Sequence, residues 1–278
     1  MNFTLYAAPL EDTSDAAFRK MCYTHGADCT CTEMTRLKGL LQNNKSTFKK
    51  IELRDDTPTI IQLLVSNEND VETFLKTFVP QKGFKGFNLN MGCPSPNITN
   101  IGLGCAFMKR IEKTNKIIAV FRKYGYPISI KIRLGLNKFE KDKKAYLNII
   151  NNTNPDFFIV HARHGKETYD TPADFSVYEE LVKTGKKIIA NGDIHTKEQI
   201  QKLKAIGISG AMIGRAAVYN PAIFDVLKGN PVPSIQEIKE AYIHYAETFE
   251  TPEKYKNNVL PRLGRSLETK ERHNHVQG

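Results

Sequence analysis

Short β-branched or apolar runs alternate with one-sided helical spacings eight times along this chain. The runs fall at residues 3 to 8, 28 to 32, 59 to 64, 86 to 90, 127 to 133, 157 to 161, 187 to 191 and 209 to 213. Between them Val71, Phe74, Leu75 and Phe78 recur at helical intervals, as do Ile200, Leu203 and Ile206. Strand and helix in alternation predict a parallel sheet covered by helices, and eight strands close an α/β barrel of the (β/α)8 TIM type. Boundary residues agree. Thr196 with Gln199 predicts a capping box, Gly207 a helix end, and Asn220-Pro221 a cap and first-turn proline for the eighth helix. After Gly229 the pattern breaks at Pro231 and Pro233, and Ser234 with Glu237 opens a further helix carrying Ile238, Tyr242, Tyr245 and Phe249. The expected division is a barrel over residues 1–230 and a short helical, basic extension over 231–278.

Polar residues interrupt the apolar runs at one end only. Gln62 lies on the third run, Asn90 ends the fourth, Lys131 and Arg133 close the fifth and His161 ends the sixth, with Arg163, Asn191, Asp193, Gly214 and Arg215 at or just beyond the ends of the last three. In a (β/α)8 barrel the C-terminal strand ends carry the active site, so these side chains should converge on one mouth. Each alone has a bland reading: Lys131 as an outward residue, His161 as a satisfied core histidine. Agreement across the strands favours a site. Cys93 stands out within Asn90-Met91-Gly92-Cys93-Pro94-Ser95-Pro96, because Gly92 and two prolines turn the chain sharply and hold the thiol on a stiff loop. Its alternative is a small hydrophobe filling a hole. Asn191-Gly192-Asp193 and Gly210-x-x-x-Gly214-Arg215 bring flexible backbone amides and a guanidinium to the last two loops, where such barrels bind phosphate. A phosphorylated cofactor is implied.

Composition narrows the class. The chain has 278 residues, 40% of them hydrophobic, enough for one large barrel with an appendage. Its net charge of +10 favours a polyanionic partner. Cys22, Cys29, Cys31, Cys93 and Cys105 include no CxxC pair, which argues against a disulfide framework and a zinc site, and no metal is expected. Cys29 and Cys31 alternate as strand core. The N-terminus lacks a basic leader and no apolar run approaches a membrane span, so the expectation is cytoplasmic, without a membrane partner, and a monomer is favoured.

The run of motifs resembles the dihydrouridine synthases, the flavin-dependent family that reduces specific uridines in RNA. The likeness is carried by Ala8-Pro9-Leu10, Thr32-Glu33-Met34, the Cys93 loop, Ile130-Lys131-Ile132-Arg133, Val160-His161-Ala162-Arg163, Asn191-Gly192-Asp193 and Gly214-Arg215-Ala216, over roughly the first 225 residues. Leu10, Asn88 and Cys105 depart from the family's usual residues without removing a catalytic group. The resemblance implies FMN held by Ala8, Pro9, Leu10, Gln62, Lys131, His161, Asn191, Gly192, Asp193, Gly214 and Arg215, with NADPH or NADH as reductant. It implies Cys93 as proton donor and tRNA as substrate, with Asn90, Arg133 and Arg163 as candidates to grip the base. A hydride at C6 and a proton at C5 saturate uracil, and a thiol of ordinary pKa, about 8.5, is protonated at neutral pH and suits the second role. Lys131 would assist the anionic reduced flavin electrostatically. Three alternatives stay open: an FMN barrel acting on a small dihydroorotate-like pyrimidine, a dihydrouridine synthase acting on rRNA, and a noncatalytic RNA-binding barrel. The residues after 230 are fewer than the family's RNA-binding helical domain normally has. The basic stretch from Thr251, with Lys254, Lys256, Arg262, Arg265, Lys270 and Arg272, is expected to be a helix or a partly disordered tail that aids RNA binding and can be removed without loss of the FMN site.

Overall fold

The computed structural model describes residues 3–265. Eight parallel strands carry the fold: β1 (Thr4–Ala7), β2 (Thr30–Cys31), β3 (Thr59–Leu64), β4 (Phe84–Met91), β5 (Ile128–Arg133), β6 (Phe157–His161), β7 (Ile188–Asn191) and β8 (Gly210–Ile213). Each sits at its predicted place. The hydrogen-bonded order is β1-β8-β7-β6-β5-β4-β3-β2, and a bridge between Tyr6 and Cys29 brings the two ends together, so the sheet curls into a nearly closed (β/α)8 barrel. A two-residue strand, Thr35–Arg36, adds to the end of β3.

Two buried layers follow from the strand pleat, which sends alternate side chains to opposite faces. Tyr6, Cys29, Cys31, Ile60, Ile159, Ile189 and Met212 form one cluster, the filling of the barrel. A far larger cluster joins the outward strand residues to the helices. Val71, Phe74 and Leu75 lie in the helix Glu68–Leu75, and all three are buried. Phe78 falls beyond that helix, yet its ring sits 5.0 Å from Phe87 and 5.5 Å from Tyr126 in an aromatic group under β4. Thr196 and Gln199 form the predicted reciprocal cap of Lys197–Ala205, and Gly207 follows it in the left-handed region. The eighth helix starts later than its sequence suggests. Asn220 Oδ1 accepts from the Ala222 amide at 3.0 Å and fixes a turn, and the helix proper is Ile223–Lys228.

The extension is part of the same packing. Its helix Ile235–Thr248, opened by the Ser234–Glu237 capping box, buries Ile238, Tyr242 and Ala246. These residues share the outer core cluster with the barrel, as do Val259 and Leu263. Polar links then run to the loops after β1 and β2: Thr251 Oγ1 donates to Asp15 Oδ2 (2.5 Å), Lys254 pairs with Asp12 (2.6 Å), Tyr255 donates to Glu33 (2.7 Å) and Asn258 to the Asp12 carbonyl (3.0 Å). Residues 251–264 therefore buttress the barrel mouth; of the helix or partly disordered tail expected from Thr251, the helix is present, over Glu253–Val259. Lys270 and Arg272 lie outside the described residues.

Glu33 Oε1 and the Tyr242 hydroxyl are buried in this interface without partners among the described residues. Tyr242 is fully buried and its hydroxyl has no hydrogen-bond partner. A buried hydroxyl without a partner costs about 1–3 kcal/mol of desolvation. Tyr242→Phe should raise unfolding stability by about 1 kcal/mol, read as an increased urea midpoint at unchanged slope; a lowered midpoint would show that the hydroxyl is bonded.

Candidate active site

The pleat that packs the barrel also builds its mouth. Inward positions that are apolar at mid-height become polar one residue pair further on: Ile60 gives way to Gln62, Ile159 to His161 and Ile189 to Asn191. Strand register sets these side by side. Asn90 pairs with Lys131, Arg133 with His161, and His161 with Asn191. They surround a cavity of about 520 Å³ at the C-terminal strand ends, lined by every site residue predicted from sequence, from Ala8, Pro9 and Leu10 round to Gly214 and Arg215. Cys93 is on its wall and half-buried.

A chain of side-chain amides fixes the β3–β5 side. Gln62 Nε2 donates to Asn88 Oδ1 (2.8 Å), Asn88 Nδ2 to Ser129 Oγ (2.8 Å), and Asn90 Nδ2 to Gln62 Oε1 (2.8 Å). Asn90 Oδ1 then accepts from the backbone amides of Gly92 (3.1 Å) and Cys93 (2.9 Å). The loop is pinned from behind too. The Cys93 carbonyl accepts from the Cys105 amide at 3.0 Å, while Cys105 Sγ donates to the Gly92 carbonyl at 3.1 Å. Gly104 lies at φ +58, and a Cβ there would come within 2.4 Å of the Cys93 carbonyl oxygen, so no other residue fits without moving the loop. Asn90 and Cys105 thus hold the reactive thiol in place. Both oxygen and nitrogen of Asn90, a candidate for gripping the base, already have protein partners.

The opposite wall is an ion network. Arg163 is buried, and its guanidinium donates to the Thr171 carbonyl (2.6 Å), to His161 Nε2 (3.2 Å) and to Asp193. Asp193 also accepts from the Ala173 amide (3.0 Å) and from Arg215 (2.6 Å). Burial alone would raise the Asp193 pKa, but the bonds from Arg163 and Ala173 outweigh it and hold the carboxyl below its ordinary range. Arg163, the other buried candidate for the base, is spent on this network. Gly192, at φ +112, lets the chain pass against His161: a Cβ would lie 2.9 Å from the ring. Arg215 stacks on Tyr169, with 3.8 Å between guanidinium carbon and ring centroid. Tyr169 was not foreseen, because its loop, Lys166-Glu167-Thr168-Tyr169-Asp170-Thr171, has no periodicity. The only signal was an aromatic amid polar residues just after a functional strand.

Electrostatics sort the remaining groups by role. Among the described residues Lys131 has no hydrogen-bond or ion-pair partner, and burial, reinforced by Arg133, lowers its pKa to about 8. An ammonium left bare in a cavity is a site for an anionic or carbonyl acceptor. His161 is driven well below its ordinary range by burial and by the cations around it, so it is neutral. With Nε2 accepting from Arg163, its proton sits on Nδ1, which no protein group accepts. The helix Arg215–Tyr219 begins at Gly214 without a side-chain cap; the Ala217 amide bonds the Gly214 carbonyl at 2.9 Å, and Gly214, Arg215 and Ala216 line the cavity. Burial raises the Cys93 thiol pKa against the pull of the Ser95 amide, Lys131 and Arg133, so it is a protonated acid at neutral pH. Beside the mouth, the carboxylates of Glu11, Asp12 and Glu33 meet, countered by Lys50 and Lys254.

The profile of the dihydrouridine synthase family matches residues 6–277. The chain belongs to that family. It is similar to a probable tRNA-dihydrouridine synthase of Helicobacter pylori, 29% identical over 232 residues, spanning 81% of this chain and 70% of the relative. A tRNA-dihydrouridine synthase B of Pseudomonas syringae pv. tomato is 28% identical over 242 residues, 84% of this chain and 71% of that one. A human tRNA-dihydrouridine(47) synthase, NAD(P)(+)-like, is 29% identical over 241 residues but is matched over only 35% of its length. Among the described residues no helix is long and apolar enough to cross a membrane.

The thiol assignments can be checked directly. Of the five cysteines, Cys93 alone is not buried. Iodoacetamide should therefore label Cys93 first in the native protein. Because the thiolate is the reactive form and the Cys93 pKa is raised, the labelling rate should climb with pH to a midpoint above the ordinary value of about 8.5. Mass spectrometry across a pH series gives the result; rapid labelling at neutral pH would mean a thiolate and remove Cys93 as an acid.

Proposed function

We propose that this protein reduces the C5=C6 bond of uridines in tRNA to 5,6-dihydrouridine, with FMN as cofactor and NADPH or NADH as electron source. The observation that carries this reading is the meeting, in one cavity, of a protonated thiol on a rigid loop, a bare ammonium and an uncapped helix start. The family and the tRNA-dihydrouridine synthases among its relatives support it. In this reading residues 1–230 form the catalytic unit, and the segment from 231 assists with RNA.

The residues present fit FMN. Gly214, Arg215 and Gly192 offer backbone amides and a guanidinium for the phosphate, with Asp193 holding Arg215 in place. Ala8, Pro9 and Leu10 supply the flat wall facing Gly214; a Cβ on that glycine would meet Ala8 and Leu10 at ordinary contact distance. Gln62, Lys131, His161 and Asn191 present polar atoms to the ring. When bound and reduced, the flavin supplies the hydride for uracil C6. Cys93 Sγ–H supplies the other half of the addition: its proton goes to C5, the S–H electrons stay on sulfur, and solvent later returns a proton to the thiolate. Lys131 and Arg133 lower the energy of that thiolate. Asn90 acts through the loop, holding the Gly92 and Cys93 amides. Arg133 has one nitrogen bonded to the His164 carbonyl at 2.9 Å and keeps donors for a uracil oxygen. Arg163 serves by fixing His161 and Asp193. The target base must leave its stack, which costs a few kcal/mol and is easiest in a loop of the RNA.

The purified protein should carry noncovalent FMN, seen as flavin absorption after reconstitution. Cys93→Ala should keep the flavin and NADPH oxidation while losing about 100-fold or more of dihydrouridine formation on unmodified tRNA, the usual scale of a general acid. Cys105→Ala should lose much less. Single-turnover rates should hold level at neutral pH, begin to fall near pH 8 as Lys131 loses its proton, and fall further above the raised Cys93 pKa. Full turnover by Cys93→Ala would remove the acid role, and reduction of a free pyrimidine with indifference to RNA would favour the small-molecule reading.

A further inference from the structure

The buttress formed by residues 251–264 covers the β1–β2 side of the mouth and leaves the β4–β6 side open. Three loops make that open side, and they are tied into one ledge. The loop after β4 joins the loop after β5 through Lys109 and Glu140 (2.5 Å). The loop after β5 joins the loop after β6 through Lys141 and Asp174 (2.8 Å), through the Gly165 amide on the Gly135 carbonyl (2.8 Å), and through the Leu134 amide on the Arg163 carbonyl (2.9 Å). Glu140, itself buried, also accepts from the Leu136 amide at 2.8 Å, so the ledge is rigid where it meets the cavity. Its outer surface carries Arg110, Lys143 and Lys166, all exposed and none with a carboxylate partner among the described residues. Phe139 stands among them 68% exposed, a large aromatic where burial would be the default, with the Lys143 ammonium 5.9 Å from its ring centroid.

We propose that this ledge is an RNA-docking surface, in which Arg110, Lys143 and Lys166 meet phosphates while Phe139 stacks on an unpaired base beside the target uridine. Unpaired cations with an exposed aromatic are the chemistry that holds single-stranded RNA: charge follows the backbone, and a ring face accepts any base. The ledge borders the cavity through the Cys93 loop on one side and Arg133 and Arg163 on the other. A nucleotide held on it would leave its neighbour over the thiol. RNA is then gripped by barrel loops on the side of the mouth opposite the extension. The proposal rests on the RNA-reducing function above.

The test compares the full-length FMN-loaded protein with two variants of equal charge loss. One removes the ledge (Arg110→Ala, Lys143→Ala, Lys166→Ala with Phe139→Ala). The other removes Lys82, Lys183 and Lys187, all to Ala, at the opposite end of the barrel before β4 and β7. The ledge variant should keep its flavin content and its NADPH oxidation, while KM for unmodified tRNA rises about tenfold or more and kcat changes little. Its log–log salt slope should shrink by about 2, near 0.7 for each lost phosphate contact on single strands. Phe139→Ala alone should raise KM with the slope unchanged, which separates stacking from charge. The opposite-end variant should match wild type. If the two triple-charge variants behave alike in KM and slope, the ledge is not the docking surface. If wild-type protein forms no dihydrouridine in any tRNA, it is the proposed function that fails.

Discussion

Alternation of side chains along a parallel strand is the constraint on which this protein rests. A residue pointing into the barrel is followed by one pointing at the helices, so changing the inward residue from apolar to polar at a common height creates a site without disturbing the outer core. Ile60 and Gln62, Ile159 and His161, Ile189 and Asn191 are three instances of that step. The outward partners stay apolar through the same level: Leu63, Val160 and Ala190 are all buried in the outer cluster. Stability and chemistry are thereby assigned to different faces of the same strands, and each face can vary with little penalty to the other.

Polar groups placed in a barrel mouth carry their own cost, and the structure meets it in two ways. On the β3–β5 side neutral amides satisfy one another, ending on the backbone of the Cys93 loop. A neutral network adds rigidity without a net field. On the β6–β8 side the network is ionic, and a fully buried Arg163 is tolerable only because Asp193 faces it. Asp193 is shared with Arg215, so one carboxylate answers two guanidinium groups, and the wall keeps positive charge. Lys131 and Arg133 add to it from β5.

These two networks mark where the sequence was legible and where it was not. Strand positions came through because β-branched runs and turn residues act locally, and the lining of the cavity came through because polar residues at strand ends are out of place in a buried run. Partner choice did not. Asn90 and Arg163 read equally well as groups reaching for a substrate or for the protein, and the choice depends on loops far away in sequence: Gln62 for one, Asp193 for the other. Tyr169 had no pattern to betray it, since its place over Arg215 is set by the fold of a polar loop. The stretch after Thr251 left a helix and a partly disordered tail both open for a related reason. Its charges do not show that Val259, Leu260 and Leu263 seat it on the barrel while Asp12, Asp15 and Glu33 supply polar partners.

The positive mouth also explains why a thiol, rather than a histidine or a carboxylic acid, suits the role of acid here. Lys131, Arg133, Arg163 and Arg215 surround the cavity, and burial with these same cations keeps His161 neutral and leaves it unable to take up a second proton at physiological pH. A carboxyl group in that field would be ionised, as Asp193 is. A thiol starts from a higher intrinsic pKa, so even with Lys131 and Arg133 pulling it down, burial keeps the proton on sulfur. Those cations act chiefly once the proton has left, when they stabilise the thiolate. A field suited to the polyanionic substrate and phosphorylated cofactor proposed above therefore disqualifies the commoner acids and favours a half-buried cysteine.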